Sequence, residues 1–274
     1  MRAFLALMIG MISISSALGQ SGYYPAGARE AALSGAGVTL ADAYSLFHNP
    51  AGLSQLEGRQ AMASYRYRPG WEGMQVAAMA YAGRWRNLGW SAGGWRFGDA
   101  LYNETWVGLG VGYQMGLTAL GLKMSWLQYH IEGFGTRHLP LLEAGGWTEI
   151  TEQWRVGGHV SNLLLAKLSA ETGERMPVVM NLGLAYQPMP QVQLLAQVQQ
   201  SLPGALRASL AVEYQIIAPL WLRAGLQPTH RTFSGGLGYC WRSWQVDYAT
   251  ISHHPAGWSH QLSIAYAWSA EASQ

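Results

Sequence analysis

His159, Ser161 and Asn162 stand together in "GGHVSN", the nearest this chain comes to the parts of a nucleophilic hydrolase. On a strand, residues two apart lie roughly 6 to 7 Å from each other, too far for a hydroxyl–imidazole contact. Alternation also sends Asn162 to the opposite face from His159 and Ser161. The adjacent pair His253-His254 meets the same objection as a two-ligand metal site and reads as a surface turn. Cys240, the single cysteine, shares the parity of Gly236 and Gly238 and reads as a small, inert interior residue. No phosphate-binding glycine loop, zinc spacing or EF-hand pattern occurs. The expectation is therefore no catalytic centre, no metal and no cofactor.

The remaining charged residues of interest recur inside alternating segments. Arg66, Arg68, Arg155, Arg207 and Arg223 fall on the polar face, with Glu213 and Asp247, and His159 packs on the same side. They could line a path for an anionic or amphipathic solute. They could instead pair with carboxylates and backbone carbonyls to hold an internal segment, because buried charge has to be paired. The pairing role is the one adopted here.

The elements that position these residues are strands. From Arg59 onward the pattern has period two: Leu206, Leu210, Val212, Tyr214 and Ile216 alternate with Arg207, Ser209, Glu213 and Gln215. About 14 such segments are expected. They fall near 59–68, 73–84, 86–97, 103–115, 117–129, 140–149, 152–162, 177–187, 190–199, 205–216, 219–227, 231–242, 243–251 and 259–269. Each has the length a tilted strand needs to cross a bilayer. The longer connections are 130–140 and 163–177.

The sign of the alternation decides between a soluble sandwich and a membrane barrel. Charged residues are only 12% of the 274, so a polar face of Gln, Ser, Gly and scattered Arg is too poor in charge for bulk water. It suits a closed lumen. Val107, Leu109, Val111, Tyr113, Phe233, Leu237, Tyr239 and Trp241 then face lipid, while Gly108, Gly110, Gly112, Gly236 and Gly238 leave room inside. "MRAFLALMIGMISISSALGQ" reads as a secretory signal peptide over 1–19, cut before Gln20. Export plus an even-stranded barrel predicts the cell outer membrane. A net charge of +2 without a Lys/Arg run excludes nucleic acid as a partner.

Before the strands comes a small, Ala/Gly-rich stretch, "AREAALSGAGVTLADAYSLFHNPAGLSQL". With "VGGHVSNLL", "NLGLAY", "LWLRAGL", "FSGGLGY", "VDYA" and "SHQLSIAY" in that order, it resembles the PorV/PorQ group of outer-membrane proteins, itself similar to FadL-type barrels. The resemblance implies an all-β, transmembrane antiparallel barrel with a short helical N-terminal plug, divided as 20–57 (hatch) and 58–270 (barrel). Plug residues Ala31, Gly35 and Gly52 permit close packing; Asp42 is a plug residue too. Pro50 ends helix at Asn49, which is placed to cap the neighbouring backbone in an Asx-type turn. The other reading of 20–57 is an amphipathic periplasmic tail. For function, the resemblance implies a scaffold or cargo carrier in type IX protein secretion, partnered by outer-membrane lipid and by other outer-membrane or secretion-system proteins. The alternative is a FadL-like transporter with a hydrophobic or amphipathic small-molecule ligand.

Overall fold

The protein is described from a computed structural model covering residues 26–168, 173, 175–255 and 257–268; residues 1–19 and 20–25 lie outside the described chain. Fourteen antiparallel strands close on themselves in sequence order, with the last pairing to the first. They are β1 (Arg59–Tyr67), β2 (Val76–Trp85), β3 (Leu88–Gly98), β4 (Tyr102–Met115), β5 (Thr118–Ile131), β6 (Gly135–Glu149), β7 (Trp154–Val160), β8 (Val178–Met189), β9 (Val192–Leu202), β10 (Leu206–Ile217), β11 (Leu220–Gln227), β12 (Thr232–Trp241), β13 (Trp244–His253) and β14 (Gly257–Trp268). Closure leaves no strand edge to face hydrocarbon, where an unpaired backbone group is costly.

Side-chain parity follows the expected sign. In β4, Val107, Leu109, Val111 and Tyr113 are exposed while Gly108, Gly110 and Gly112 face inward. The same holds for Leu206, Leu210 and Tyr214 on β10, and for Phe233, Leu237, Tyr239 and Trp241 on β12. The outer surface is thus a continuous apolar belt. Rings gather at its lower margin, where Trp244 meets Tyr266 at 4.7 Å and Tyr266 meets Trp268 at 4.8 Å. Amphipathic rings are favoured at the headgroup level. Among the described residues no helix is long and apolar enough to cross a membrane; the crossing elements are strands.

The two ends differ. At the near end, where β1 begins and β14 ends, most turns are two residues, such as Gly116-Leu117 and Arg242-Ser243. At the far end the connections are longer, the longest being 161–177. Short turns mark the periplasmic side of outer-membrane barrels, so the far end is the outer face.

Several expected boundaries move by two to five residues, and two of the shifts change which residues read as loop. The stretch 130–140 is mostly strand, because Ile131 pairs with Gly135 and the connection is only 132–134. Its polar residues His130, Thr136 and His138 read as loop because the outer end of the hairpin lacks the two-residue period, Gly135–His138 being exposed in succession. β7 is shorter than 152–162. It ends at Val160, and Asn162 has a positive φ of 54°. That turn breaks the alternation, so Asn162 is fully buried, donating to the Met176 carbonyl and accepting from Ala166 N–H, instead of facing outward.

Leu210 sits in the middle of β10, half exposed on the belt. Leu210→Arg is expected to cost about 2–4 kcal/mol of folding free energy, the figure for a lipid-facing arginine near the midplane. Urea titration of folding into lipid vesicles reads it directly; a cost near zero would place this face outside hydrocarbon.

Candidate functional site

Residues 26–56 sit inside the barrel as a plug. It comprises α1 (Ala28–Ala32), α2 (Ser45–His48) and a 3-10 turn, Pro50–Gln55. Asn49 joins the last two. Its Oδ1 accepts from Ala51 N–H at 3.1 Å, and its Nδ2 donates to the Val38 carbonyl at 2.6 Å and the Gly146 carbonyl at 3.3 Å. Asn49 therefore caps the turn that Pro50 starts and ties it to β6. Asp42 makes a similar local turn, accepting from Tyr44 N–H at 2.9 Å. Ala31 packs on Ala249 and Ile251, and Gly52 admits Ser45 and the Leu40 carbonyl.

The wall gives way where the plug backbone passes. A Cβ at Gly89 would lie 1.8 Å from the Leu53 carbonyl oxygen, and one at Gly121 would lie 2.3 Å from Ala51 N. Gly112, Gly225 and Gly236 likewise face plug atoms. Elsewhere wall hydroxyls meet plug backbone: Ser209 and Ser234 donate to the carbonyls of Ser34 and Ala32, and Ser64 to that of Ala26.

One buried ion network binds plug to wall. Arg29 donates to Glu213 at 2.6 Å and to Asp42 at 3.0 Å. Arg223 donates to Glu213 and to Asp247, each at 2.5 Å. Arg223 reaches across β12 to Asp247 because Gly238 has no side chain: a Cβ there would lie 2.5 Å from both groups. His48 closes the set on Asp42 at 3.3 Å. Burial raises the Asp42 carboxyl, but the hydrogen bond and charge of His48, then Arg29, outweigh it and hold it well below the usual carboxylate range. A depressed carboxylate stabilises the fold above its unfolded value, so this link holds at neutral pH and weakens only in strong acid.

A second network runs through β5 to β9. Lys123 contacts Glu143 at 2.8 Å, and His159 contacts the same carboxylate at 3.0 Å. Beyond them, Gln197 donates to Asn181 and accepts from Val38 N–H of the plug. His159 is thus an interior residue beside a carboxylate, and Ser161 instead bonds the Val179 backbone.

The other charged residues separate. Arg155 contacts Glu149 at 2.7 Å and lies 4.2 Å over the Trp147 ring. Arg66 donates to Gln261, and with Arg207 it lines a cavity at the far rim. Arg68 lies past the end of β1, over the Trp71 ring, so it belongs to the rim and not to the strand wall. Cys240 is half-buried on the inward side of β12. His253 bonds Ser259 while His254 is exposed in the turn. Sequence reasoning missed Arg29, Lys123 and Glu143. Lys123 shares the parity of Gly121 and Ser125, and the hairpin register sets Glu143 opposite it.

The larger miss is the apolar half of the lumen. Trp95, Trp106, Leu127, Tyr129, Leu139 and Leu141 all point inward, packing on Leu46, Phe47 and Leu53 of the plug. Trp95 and Trp106 lie parallel at 6.3 Å, and Phe47 meets Trp106 at 5.6 Å. The expectation of a lumen built mainly of Gln, Ser, Gly and Arg holds for β8–β14 and fails for β2–β6. Beside this half the wall is incomplete. Above Ala144, β6 has no β7 partner. The space is filled by the segment after β7, where Leu163 N–H bonds the Leu142 carbonyl at 2.8 Å. Leu163, Leu164 and Leu165 face outward to the belt, while Ala166 and Leu168 pack on the inner cluster.

No protein-family model and no curated protein matches the chain. Solved structures do. The CymD monoaromatic hydrocarbon channel aligns with a TM-score of 0.67 at 13% identity, covering 90% of this chain and 99% of that one. The Ralstonia pickettii toluene transporter TbuX gives 0.68 at 13% identity, covering 90% and 98%. A Pseudomonas aeruginosa FadL homologue gives 0.65 at 12%, covering 88% and 98%. At these identities the likeness is one of fold: a FadL-like, 14-stranded barrel. That fold and the lipid-facing belt place the chain in the cell outer membrane.

Two outcomes follow for the plug. Gly121→Leu is expected to displace it, so single-channel conductance in planar bilayers rises; unchanged conductance would mean the wall bends instead. Glu213→Ala removes the carboxylate shared by buried Arg223 and half-buried Arg29 and is expected to cost about 3–5 kcal/mol in guanidinium unfolding of the micellar protein. A loss under about 1 kcal/mol, the worth of an exposed pair, would show that water reaches both arginines.

Proposed function

We propose that the chain is an outer-membrane channel for small hydrophobic or amphipathic molecules. The observation that carries this is the buried aromatic half of the lumen lying beside a stretch of wall where no strand continues β7. Trp95, Trp106, Leu127 and Leu139 pack directly on Leu46, Phe47 and Leu53 of the plug, so an apolar solute entering this half contacts wall and plug together. The plug blocks the axial route. The side route runs between Leu142 and the segment Leu163–Leu168, which has leucines toward lipid and apolar residues toward the lumen. Hydrophobic transfer then needs no aqueous step. Solved barrels of the same fold are a monoaromatic hydrocarbon channel and a toluene transporter, which supports the same ligand class here. The reading is non-enzymatic: the hydroxyl, imidazole and amide of Ser161, His159 and Asn162 are each engaged separately.

The scaffold or cargo-carrier reading, within type IX protein secretion, draws support from the tied plug. It needs a docking surface, and the far connections are mostly short. The apolar lumen half has no purpose under it, so transport is preferred.

Expression in a host with a lipopolysaccharide outer leaflet is expected to raise the initial uptake of labelled toluene. Leu142→Cys with Leu163→Cys should abolish the gain when oxidised and restore it on reduction, since their backbones are hydrogen-bonded neighbours. If the oxidised double variant takes up toluene like the parent, the side route is wrong. If the parent adds no uptake at all, the channel reading is wrong.

A further inference from the structure

The far-rim cavity lies in the half of the lumen that hydrocarbon transport does not use. It measures about 390 Å³ and stands between the C-terminal end of α1 and the outer ends of β1, β9–β13. Ala31, Ser34 and Gly35 form its floor. Small residues there leave the space open, and Gly35 has nothing within 4 Å of where a Cβ would stand. Two guanidinium groups, Arg66 and Arg207, line the cavity together with three imidazoles, His230, His253 and His254. No carboxylate is among the lining residues. This differs from the rest of the interior, where Arg29 and Arg223 are matched by Asp42, Glu213 and Asp247. Arg207 has no acidic partner among the described residues, although it is partly buried. A partly buried guanidinium without a carboxylate is a standing electrostatic cost unless an anion meets it.

The remaining lining is amide and hydroxyl: Gln197, Gln199, Gln227, Ser209 and Thr232. These groups donate and accept, so they suit alcohols better than a hydrocarbon chain. Ile251 and Ala31 are the only apolar side chains on the lining, which is too little to hold an acyl tail. His230 and His254 belong to far-end connections and are exposed, so the cavity opens to the outer face.

We propose that this cavity is a binding site for a small hydroxylated anion, a sugar bearing a carboxylate or phosphate. Arg207 and Arg66 meet the anionic group, and Gln199, the Gln227 side-chain carbonyl and Thr232 meet its hydroxyls, while Gln197 and Ser209 stay bonded to the plug. The site goes beyond the hydrocarbon reading and does not depend on it, because the two occupy opposite halves of the lumen. The same chemistry could come from a free solute or from the phosphorylated sugars of lipopolysaccharide.

Isothermal titration of the protein in lipopolysaccharide-free micelles tests it, with glucuronate and glucose 6-phosphate as probes and glucose as the neutral control. The anions are expected to bind and glucose is not, and added salt should weaken binding. Arg207→Gln should lower affinity by about tenfold or more, as loss of one charge-assisted contact does. Gln199→Leu, which leaves every charge in place, should weaken the sugar anions but not inorganic phosphate. Heat-modifiable gel mobility checks that each variant is folded; should Arg207→Gln fail that check, the Gln199→Leu contrast carries the decision. Competition by purified lipopolysaccharide assigns the site to the membrane surface, and its absence assigns it to a free solute. Equal binding of glucose, no binding of either anion, or unchanged affinity in folded Arg207→Gln would each overturn the proposal. None of these readouts involves toluene uptake.

Discussion

A barrel of this width has to be filled, and what fills it here is backbone. The plug passes so near the wall at Gly89 and Gly121 that even a methyl group there would overlap main-chain atoms. Close approach of this kind is available only to glycine. It lets wall and plug exchange hydrogen bonds directly, as Ser209, Ser234 and Asn49 do. Once the backbone is so placed, its polar groups have partners, and the ion network of Arg29, Glu213, Arg223 and Asp247 can form away from water. Each charge in it offsets another; as a set they fix the plug's position more than they add stability, since buried pairs roughly repay their own desolvation.

Most of the wall was legible in the sequence because lipid imposes one rule on every residue it touches. Val107, Leu109 and Val111 must be apolar, so a two-residue period marks the lipid-facing stretches of the strands. The Asn49-Pro50 break was legible for a local reason, since Pro50 constrains its neighbour wherever the tertiary structure puts it. The rule fails where lipid is absent. At the far end of the hairpin, Thr136 and His138 continue β6 without alternating, and they read as loop. At Asn162 a single positive φ resets parity; asparagine tolerates that conformation, but its type alone does not say that the strand ends there.

Inside the lumen the rule is silent for a different reason. An inward position there can be polar or apolar, depending on which part of the plug faces it. Trp106 and Leu127 are inward because Gly110 and Ser125 are, but bulky residues on both faces of β4 and β5 hide the sign. Lys123 and Glu143 are legible only as a pair, once the hairpin register is known. Arg155, Glu213, Arg223 and Asp247 lie on the inward face while Arg68 lies at the rim, and the partners of all of them depend on contacts that no local pattern encodes.

The plug's own composition then divides the interior. Its second half, with Leu46, Phe47 and Leu53, is bulky and closes on the aromatic wall of β3–β6. Its first half, with Ala31, Ser34 and Gly35, is small and leaves a basic cavity open to the outer face. A hydrocarbon gains nothing in the basic half, where it would displace water from guanidinium and amide groups without replacing their bonds. An anion gains nothing in the aromatic half, where Lys123 is already matched by Glu143 and no other cation faces the cluster among the described residues. One barrel can therefore keep two chemistries apart without a partition, because the sizes of plug residues decide where space is left and the wall decides what that space accepts.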